Sequence, residues 1–269
     1  MARLFLYRDK LRHNYHFLQE LFKNSETEFS IVTKLLCGNK RYLKEVLDLG
    51  PKQICESRIS NLKAVKQINS AIETIYIKPP SPSIIKSLIK YADISFNTEF
   101  EIIKMLSREA KTQAKTHKII LMIELGDLRE GILSESLEDI YSKILDLENI
   151  EVIGIGSNLN CLHGVMPSIE KLNILCLHKE KLENKFKKEI KYISGGTTVT
   201  LPLLLAEQFF PTKVNHFRIG EALFFGADLF NDKTIKGMFP FTFELEAQVI
   251  EVSEKPSEPF GEVRANPQG

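Results

Sequence analysis

The stretch FSIVTKLLCGNKRYLKEVLDLGPKQICES, residues 29–57, decides the fold. It opens on an apolar, β-rich run, passes into NKRYLKEVLDLG with apolar residues three and four apart, stops at Gly50–Pro51, and returns to a second apolar run. Strand, helix and strand in that order form a βαβ unit, which joins parallel strands.

The same alternation continues outward along the chain. Short apolar runs recur at 29–35, 53–57, 74–79, 93–97, 118–125, 151–158, 192–196 and 216–221, which makes eight. Segments of helical period separate them, at 39–50, 61–71, 81–92, 98–110, 136–148, 168–186 and 200–210. Asn97 and Thr98 before Glu99, and Ser168 before Glu170, are capping residues at helix starts. An open doubly wound sheet would carry GxGxxG after its first strand, and none is present. The expectation is therefore an α/β fold, a (β/α)8 TIM barrel, over residues 1–239. A helix over 9–24 precedes the first strand, so it packs outside the ring or closes it. From Phe241 the pattern changes to FTFELEAQVIEVSEK, which alternates like a half-buried strand with no helix after it. Residues 240–269 read as the opening of a C-terminal β domain whose remainder is absent, because some thirty residues cannot build a core of their own.

Composition narrows the function. Lys+Arg (36) and Asp+Glu (35) nearly cancel, which argues against a nucleic-acid or membrane surface and for a small discrete ligand. The four cysteines are scattered without CxxC or Cys/His spacing, so no metal site is expected and a reduced cytoplasmic setting fits. No export signal or apolar stretch of membrane-spanning length is visible.

Barrel chemistry sits at the C-terminal ends of strands and in the loops that follow. Lys34 holds that position on the first strand, where a lysine can pair with an acid, pair with a phosphate, or form a Schiff base. The fifth strand runs into IELGDLREGI (123–132), where Arg129 reaches over the mouth or pairs with Asp127 or Glu130. Asn158 follows the sixth strand in GIGSNLNCLHG (154–164), and His163 lies in the same loop as a substrate contact or a brace. SGGTTVTLP (194–202) and HFRIGEALFFG (216–226) bring Thr197, Thr198, Arg218, Gly220 and Glu221 to the ends of the seventh and eighth strands, the usual phosphate position in barrels. Glu56, Ser57 and Arg58 end the second strand, where a salt bridge and a ligand contact are both open.

In this order the motifs VTKLLCGN, ICESRISNL, GDLREGI, GIGSNLNCLHG, SGGTT…LPLL and FRIGEALFFG resemble the alanine/ornithine racemase family, from about Leu11 to the end of the chain. They resemble its ornithine-racemase-like members more than its alanine-specific ones. The resemblance implies a pyridoxal 5′-phosphate barrel followed by a C-terminal β domain, assembled as a homodimer, that interconverts L- and D-forms of ornithine, lysine or alanine. By the same resemblance Lys34 carries the cofactor and is one of two bases, Arg218 faces the pyridine nitrogen, and Thr197, Thr198, Gly220 and Glu221 hold the phosphate. Arg129 meets the substrate carboxylate, and Asn158 stands beside the cofactor ring where alanine-specific members place a histidine. The second base in those members is a tyrosine of a partner subunit's C-terminal domain, to which no position here corresponds. Met122 stands in place of their modified lysine, and Gly38 in place of a tyrosine near the phosphate. A non-catalytic pyridoxal phosphate barrel is the competing reading.

Overall fold

The structure is a computed structural model that describes residues 2–206 and 210–264. Its first half comprises β1 (Ala2–Leu6), α1 (Arg8–Asn24), β2 (Glu28–Val32), α2 (Lys40–Leu47), β3 (Gln53–Glu56), α3 (Ile59–Ile68), β4 (Glu73–Tyr76), α4 (Ile85–Tyr91), β5 (Ile94–Asn97) and α5 (Phe100–Thr112). There follow β6 (His117–Met122), α6 (Leu137–Leu145), β7 (Ile150–Gly156), α7 (Ile169–Phe186), β8 (Tyr192–Ser194), β9 (Gly196–Thr197), α8 (Leu201–Leu205), β10 (His216–Ile219) and α9 (Glu221–Phe225). The chain ends with β11 (Ala227–Asp228), β12 (Lys233–Thr234) and β13 (Phe243–Ala247).

Strands β2 to β7 are successive parallel neighbours, and β10 flanks β2 on its other side. β8 and β9 are two halves of one extended stretch interrupted at Gly195. The first half pairs with β7 and the second with β10. The seventh barrel strand thus passes its hydrogen bonds from one neighbour to the other midway along, and the eight-stranded ring closes as the sequence led us to expect. Gly196 is required at this crossing, because a Cβ there would lie 2.2 Å from the Phe217 ring.

Alternation along each strand sorts the core into two layers. Val32, Cys55, Ile75, Ile94, Phe96, Ile120, Met122, Ile153 and Tyr192 form one cluster, inside the ring. Ile31, Ile54, Ile119, Leu121, Ile155 and Ile219 face the other way and pack against the helices. The helix that precedes the first barrel strand closes the ring. Its Phe22 stacks on Phe29 of β2 and Phe217 of β10, covering the seam that the five-residue α9 is too short to cover.

Three local expectations change. Asn97 is the last residue of β5, and α5 begins after Glu99 with no side-chain cap, whereas Ser168 does cap α7 by accepting the Lys171 N–H. The helix expected over 200–210 spans only Leu201–Leu205, and residues 207–209 of that segment lie outside the described residues. The alternating segment after Phe241 is a strand only over Phe243–Ala247, because the partner opposite it, β1, has only five residues. This antiparallel β1–β13 ribbon was not foreseen from the N-terminal sequence. It is fastened to the barrel by the Tyr42 hydroxyl donating to the Leu4 carbonyl and by Phe243 packing on Tyr42 and Phe224. Residues 248–264 carry no regular structure, and residues 265–269 lie outside the described residues. Among the described residues no helix is long and apolar enough to cross a membrane.

The buried Asn14 side chain ties α1 to the last barrel helix, donating to the Leu223 and Phe239 carbonyls and accepting the Phe239 N–H. Asn14→Ala leaves these backbone groups unpaired in the interior and should cost about 2–3 kcal/mol, read as a lower urea midpoint with an unchanged slope.

Candidate active site

The strand order brings the sequence-derived candidates to one end of the ring. Lys34 lies two residues beyond β2 and opens a short 3-10 turn, Lys34–Leu36. It follows Ser30 and Val32, the inward-facing residues of that strand, after the backbone turns out of the extended conformation at Thr33 (φ -98, ψ 8), and its exposed amine has no hydrogen-bond or ion-pair partner among the described residues. The turn is held from behind. Thr33 donates its hydroxyl to Glu56 Oε1 at 2.7 Å, and Glu56 Oε2 accepts from Asn61 Nδ2 at 3.0 Å and from the Ser57 N–H. Burial pushes the Glu56 carboxyl up, and these three donors together with nearby Arg58 offset that only in part. Glu56 therefore braces the lysine's turn and does not form a salt bridge at the strand end. Asn61 also occupies the space a side chain at position 38 would need, since a Gly38 Cβ would fall 2.6 Å from its Oδ1.

Arg218 ends β10 on the inside of the ring, only 4% exposed. Its Nη1 donates to the Ser194 carbonyl and hydroxyl, both at 2.6 Å, and its Nη2 donates to the Ser157 carbonyl at 2.7 Å and Asn158 Oδ1 at 2.5 Å. The guanidinium also lies 5.2 Å from the Phe96 ring centroid across the barrel. Four of five guanidinium hydrogens are thereby accounted for, and the Nε–H has no protein partner among the described residues. Burial pushes the group down to about 10, so it stays cationic at neutral pH.

Asn158 extends the network, donating its amide to Glu130 Oε1 while Glu130 Oε2 holds Arg129 Nε at 2.8 Å. Arg129 does pair with Glu130, one of the two partners considered for it, and its 40% exposed side chain keeps its outer nitrogens at the mouth. Asp127 takes a different part. Its carboxylate accepts the backbone N–H groups of Cys161, Leu162, His163 and Val165, at 2.8–3.2 Å. The His163 ring lies 2.8 Å from the Asp127 carbonyl, which makes it a brace of the loop. Gly131 folds this segment back on its own strand, since with φ +154 a Cβ would meet the Glu124 backbone nitrogen at 2.4 Å.

On the opposite rim, Thr197, Arg218 and Ser30 stand in register across β9, β10 and β2. Thr198 is buried, its hydroxyl accepting the Ala222 N–H at 3.3 Å, so the two candidate phosphate segments touch. Gly220 precedes α9, and Glu221, its first residue, is exposed. Sequence reasoning missed Glu130 as the link between Asn158 and Arg129, and missed Ser194 and Glu56 as supports. These roles arise from partners 24 to 28 residues away or from a turn on an adjacent strand, and no local pattern marks them.

The donor set suits pyridoxal 5′-phosphate: an unpartnered amine for the aldehyde, a buried cation with one unused N–H for the ring nitrogen, and the clustered Thr197, Thr198 and Gly220 for the phosphate. A closed parallel barrel with such groups on its C-terminal rim has the site of a barrel enzyme. The family described as "Alanine racemase, N-terminal domain" matches residues 6–228, and the chain belongs to it. It is 35% identical over 256 residues to an ornithine racemase of Acetoanaerobium sticklandii, with 95% of this chain and 72% of the relative covered. It is 32% identical over 259 residues to a lysine racemase of Thermotoga maritima, with 96% and 72% covered. In the solved alanine racemase of Clostridium difficile 630 in complex with cycloserine, the fold recurs with a TM-score of 0.72 at 14% identity, over 91% of this chain and 67% of that one.

Burial alone would push the Asp127 carboxyl up, but the backbone N–H groups outweigh it and hold it below the usual aspartate range. The stability it lends the 160–165 loop is present above the free-aspartate value and lost as pH falls through the lowered one. In Asp127→Asn, protection of the Cys161, Leu162, His163 and Val165 amides against hydrogen exchange, taken relative to the intrinsic rate at each pH, should be lower at neutral pH, while in the parent protein that protection should fall only in acid.

Proposed function

We propose that this amino-acid racemase acts on a basic amino acid, ornithine or lysine, with pyridoxal 5′-phosphate carried on Lys34. The observation that carries the reading is an unpartnered lysine at the end of the first barrel strand, one strand away from a buried arginine with a single unused N–H. The two curated relatives, named for ornithine and lysine, support the substrate class. Met122 and Asn158, where alanine-specific members resemble each other in having other residues, point the same way.

Bound pyridoxal phosphate supplies a conjugated ring that withdraws electrons from the substrate Cα. The protein's own groups decide where the proton goes. Arg218 donates a hydrogen bond through Nε but does not release a proton, since its own value stays near 10. That limits electron withdrawal and favours return of a proton to Cα. With a cofactor and substrate bound, the Lys34 amine would remove or deliver the Cα proton on its own face. The outer nitrogens of Arg129 fix the substrate carboxylate, and Glu130 keeps that arginine over the mouth. Thr197, Thr198, Gly220 and Glu221 hold the phosphate, and Asn158 fixes Arg218 from the side. The base on the opposite face comes from the partner subunit of a homodimer, and the setting is cytoplasmic. The β1–β13 ribbon favours a racemase over a non-catalytic cofactor barrel, which needs no elements beyond the ring.

Exchange of the Cα proton of ornithine, lysine and alanine for solvent deuterium tests this, with faster exchange expected for ornithine or lysine than for alanine. Lys34→Ala should lower exchange by at least about 100-fold and abolish the visible absorbance band of lysine-linked pyridoxal. A Lys34→Ala protein that keeps a reducible, covalently attached pyridoxal would overturn the cofactor assignment. Cofactor uptake without exchange of any amino acid would favour the non-catalytic reading.

A further inference from the structure

Below Arg218, on the side of the barrel interior formed by β2, β3, β8 and β10, polar side chains lie beside the apolar cluster that fills the rest of the ring. His216, two residues earlier on β10, is fully buried. Its Nε2 lies 2.7 Å from the Ser30 hydroxyl and 3.1 Å from Gln53 Oε1, and its Nδ1 lies 2.7 Å from the Ser194 hydroxyl. The Tyr192 ring flanks it at 5.1 Å.

Donor and acceptor accounting fixes every proton in this chain. Gln53 Nε2 faces the Glu73 carboxylate at 2.5 Å, so the amide oxygen of Gln53 is the atom turned toward the imidazole. That oxygen only accepts, and Ser30 donates its hydroxyl to it at 2.7 Å. Ser30 Oγ and Gln53 Oε1 then both present lone pairs to His216 Nε2, which must carry the hydrogen. Burial foremost, with the charges of Arg218 and Lys191, pushes the imidazole down to about 3, so it is neutral and Nδ1 is bare. Nδ1 therefore accepts the Ser194 O–H, and the Ser194 oxygen turns its lone pairs to Arg218 Nη1. Protons point one way along the whole series, from the guanidinium's neighbour to its far end: Glu73 accepts from Gln53, Gln53 from His216, His216 from Ser194, and Ser194 from Arg218.

We propose that His216 is a positioning residue for Arg218. As a neutral imidazole protonated on Nε2 it locks the Ser194 hydroxyl as an acceptor, and the locked hydroxyl holds the guanidinium so that only Nε–H is left for a ligand at the mouth. The proposal rests on the cofactor reading above. A hydrophobic residue at 216 would fill the space but free the hydroxyl to rotate and compete for other acceptors. Arg218 would then lose its fixed orientation while keeping its charge.

Two variants break the same link from opposite sides, His216→Leu and Ser194→Ala, and Ser107→Ala, which removes a buried hydroxyl on α5 that donates to the Glu148 carbonyl before the start of β7, serves as a destabilised control at the other end of the ring. On holoprotein, the pH titration of the visible pyridoxal band and the equilibrium affinity for pyridoxal phosphate are measured for each. Both variants should shift the titration in the same direction and weaken cofactor binding by about tenfold. The double variant should go no further than either single one, because His216 acts through Ser194. Ser107→Ala should leave both readouts at their parent values. Unchanged titration and affinity in Ser194→Ala would overturn the proposal even if His216→Leu fails to fold. Additive effects in the double variant, or an equal shift in Ser107→Ala, would overturn it as well. Parent protein that takes up no pyridoxal phosphate would bring down the functional reading together with this one, whereas normal uptake by parent and variants alike brings down this one alone.

Discussion

A guanidinium held inside a closed barrel is the constraint around which the rest of this molecule is arranged. Removing such a charge from water costs several kcal/mol, and the loss is tolerable only when its N–H groups are satisfied. Arg218 meets that condition with four acceptors drawn from the ends of two strands, two from Ser194 at the end of β8 and one each from Ser157 and Asn158 just after β7. Those acceptors are in reach only because the seventh strand splits at Gly195 and pairs with both neighbours. Closure of the ring and solvation of its one inward arginine at the mouth are thus a single structural event. A sheet left open at this seam would separate Ser194 from Arg218 and leave the charge unpaired.

None of those four acceptors is a carboxylate. The nearest one in the chain of contacts, Glu130, is a link removed through Asn158 and is itself shared with Arg129. The arrangement stabilises the cation with dipoles and leaves its positive potential uncancelled where a ligand docks, the condition under which fixed groups act strongly in a site shielded from water. The supporting loops follow the same logic on the other rim. Asp127 gathers backbone N–H groups so that the loop carrying Asn158 and His163 is rigid without a hydrophobic core of its own.

Much of this was legible in the residue order, because βαβ units announce themselves through a change of period within a few residues. Each of the eight apolar runs overlaps a barrel strand, and Lys34, Asn158, Thr197 and Arg218 lie at or just beyond the ends of those strands, as barrel geometry requires. What stayed hidden depends on partners distant in sequence. Residues 2–6 form a strand only because residues 243–247 lie opposite, and five residues with exposed Leu4 and Phe5 carry no local sign of it. His216 looked like any strand residue before arginine; its contacts come from Ser30, Gln53 and Ser194 on other strands. Glu130 was visible as a partner for Arg129, but its hold on Asn158 was not. Local pattern finds the strand ends, and closure of the ring decides which of them meet.

The choice of arginine over an acid at the end of the eighth strand then bears on which reaction the barrel can favour. If the proposed cofactor docks here, an acid facing its ring nitrogen would protonate it and strengthen the electron sink, whereas Arg218, held at about 10, would donate a hydrogen bond and keep its proton. A weaker sink would leave less charge at Cα, so that a base held nearby would return a proton there before it migrated elsewhere. That kinetic preference needs the arginine to stay in one orientation, since a swinging guanidinium would let water reach the ring nitrogen. The directional contacts through Ser194 and Asn158 would meet this need from both sides, so on that reading the polar chain from Arg218 to Glu73 and the placing of protons at the mouth answer one requirement.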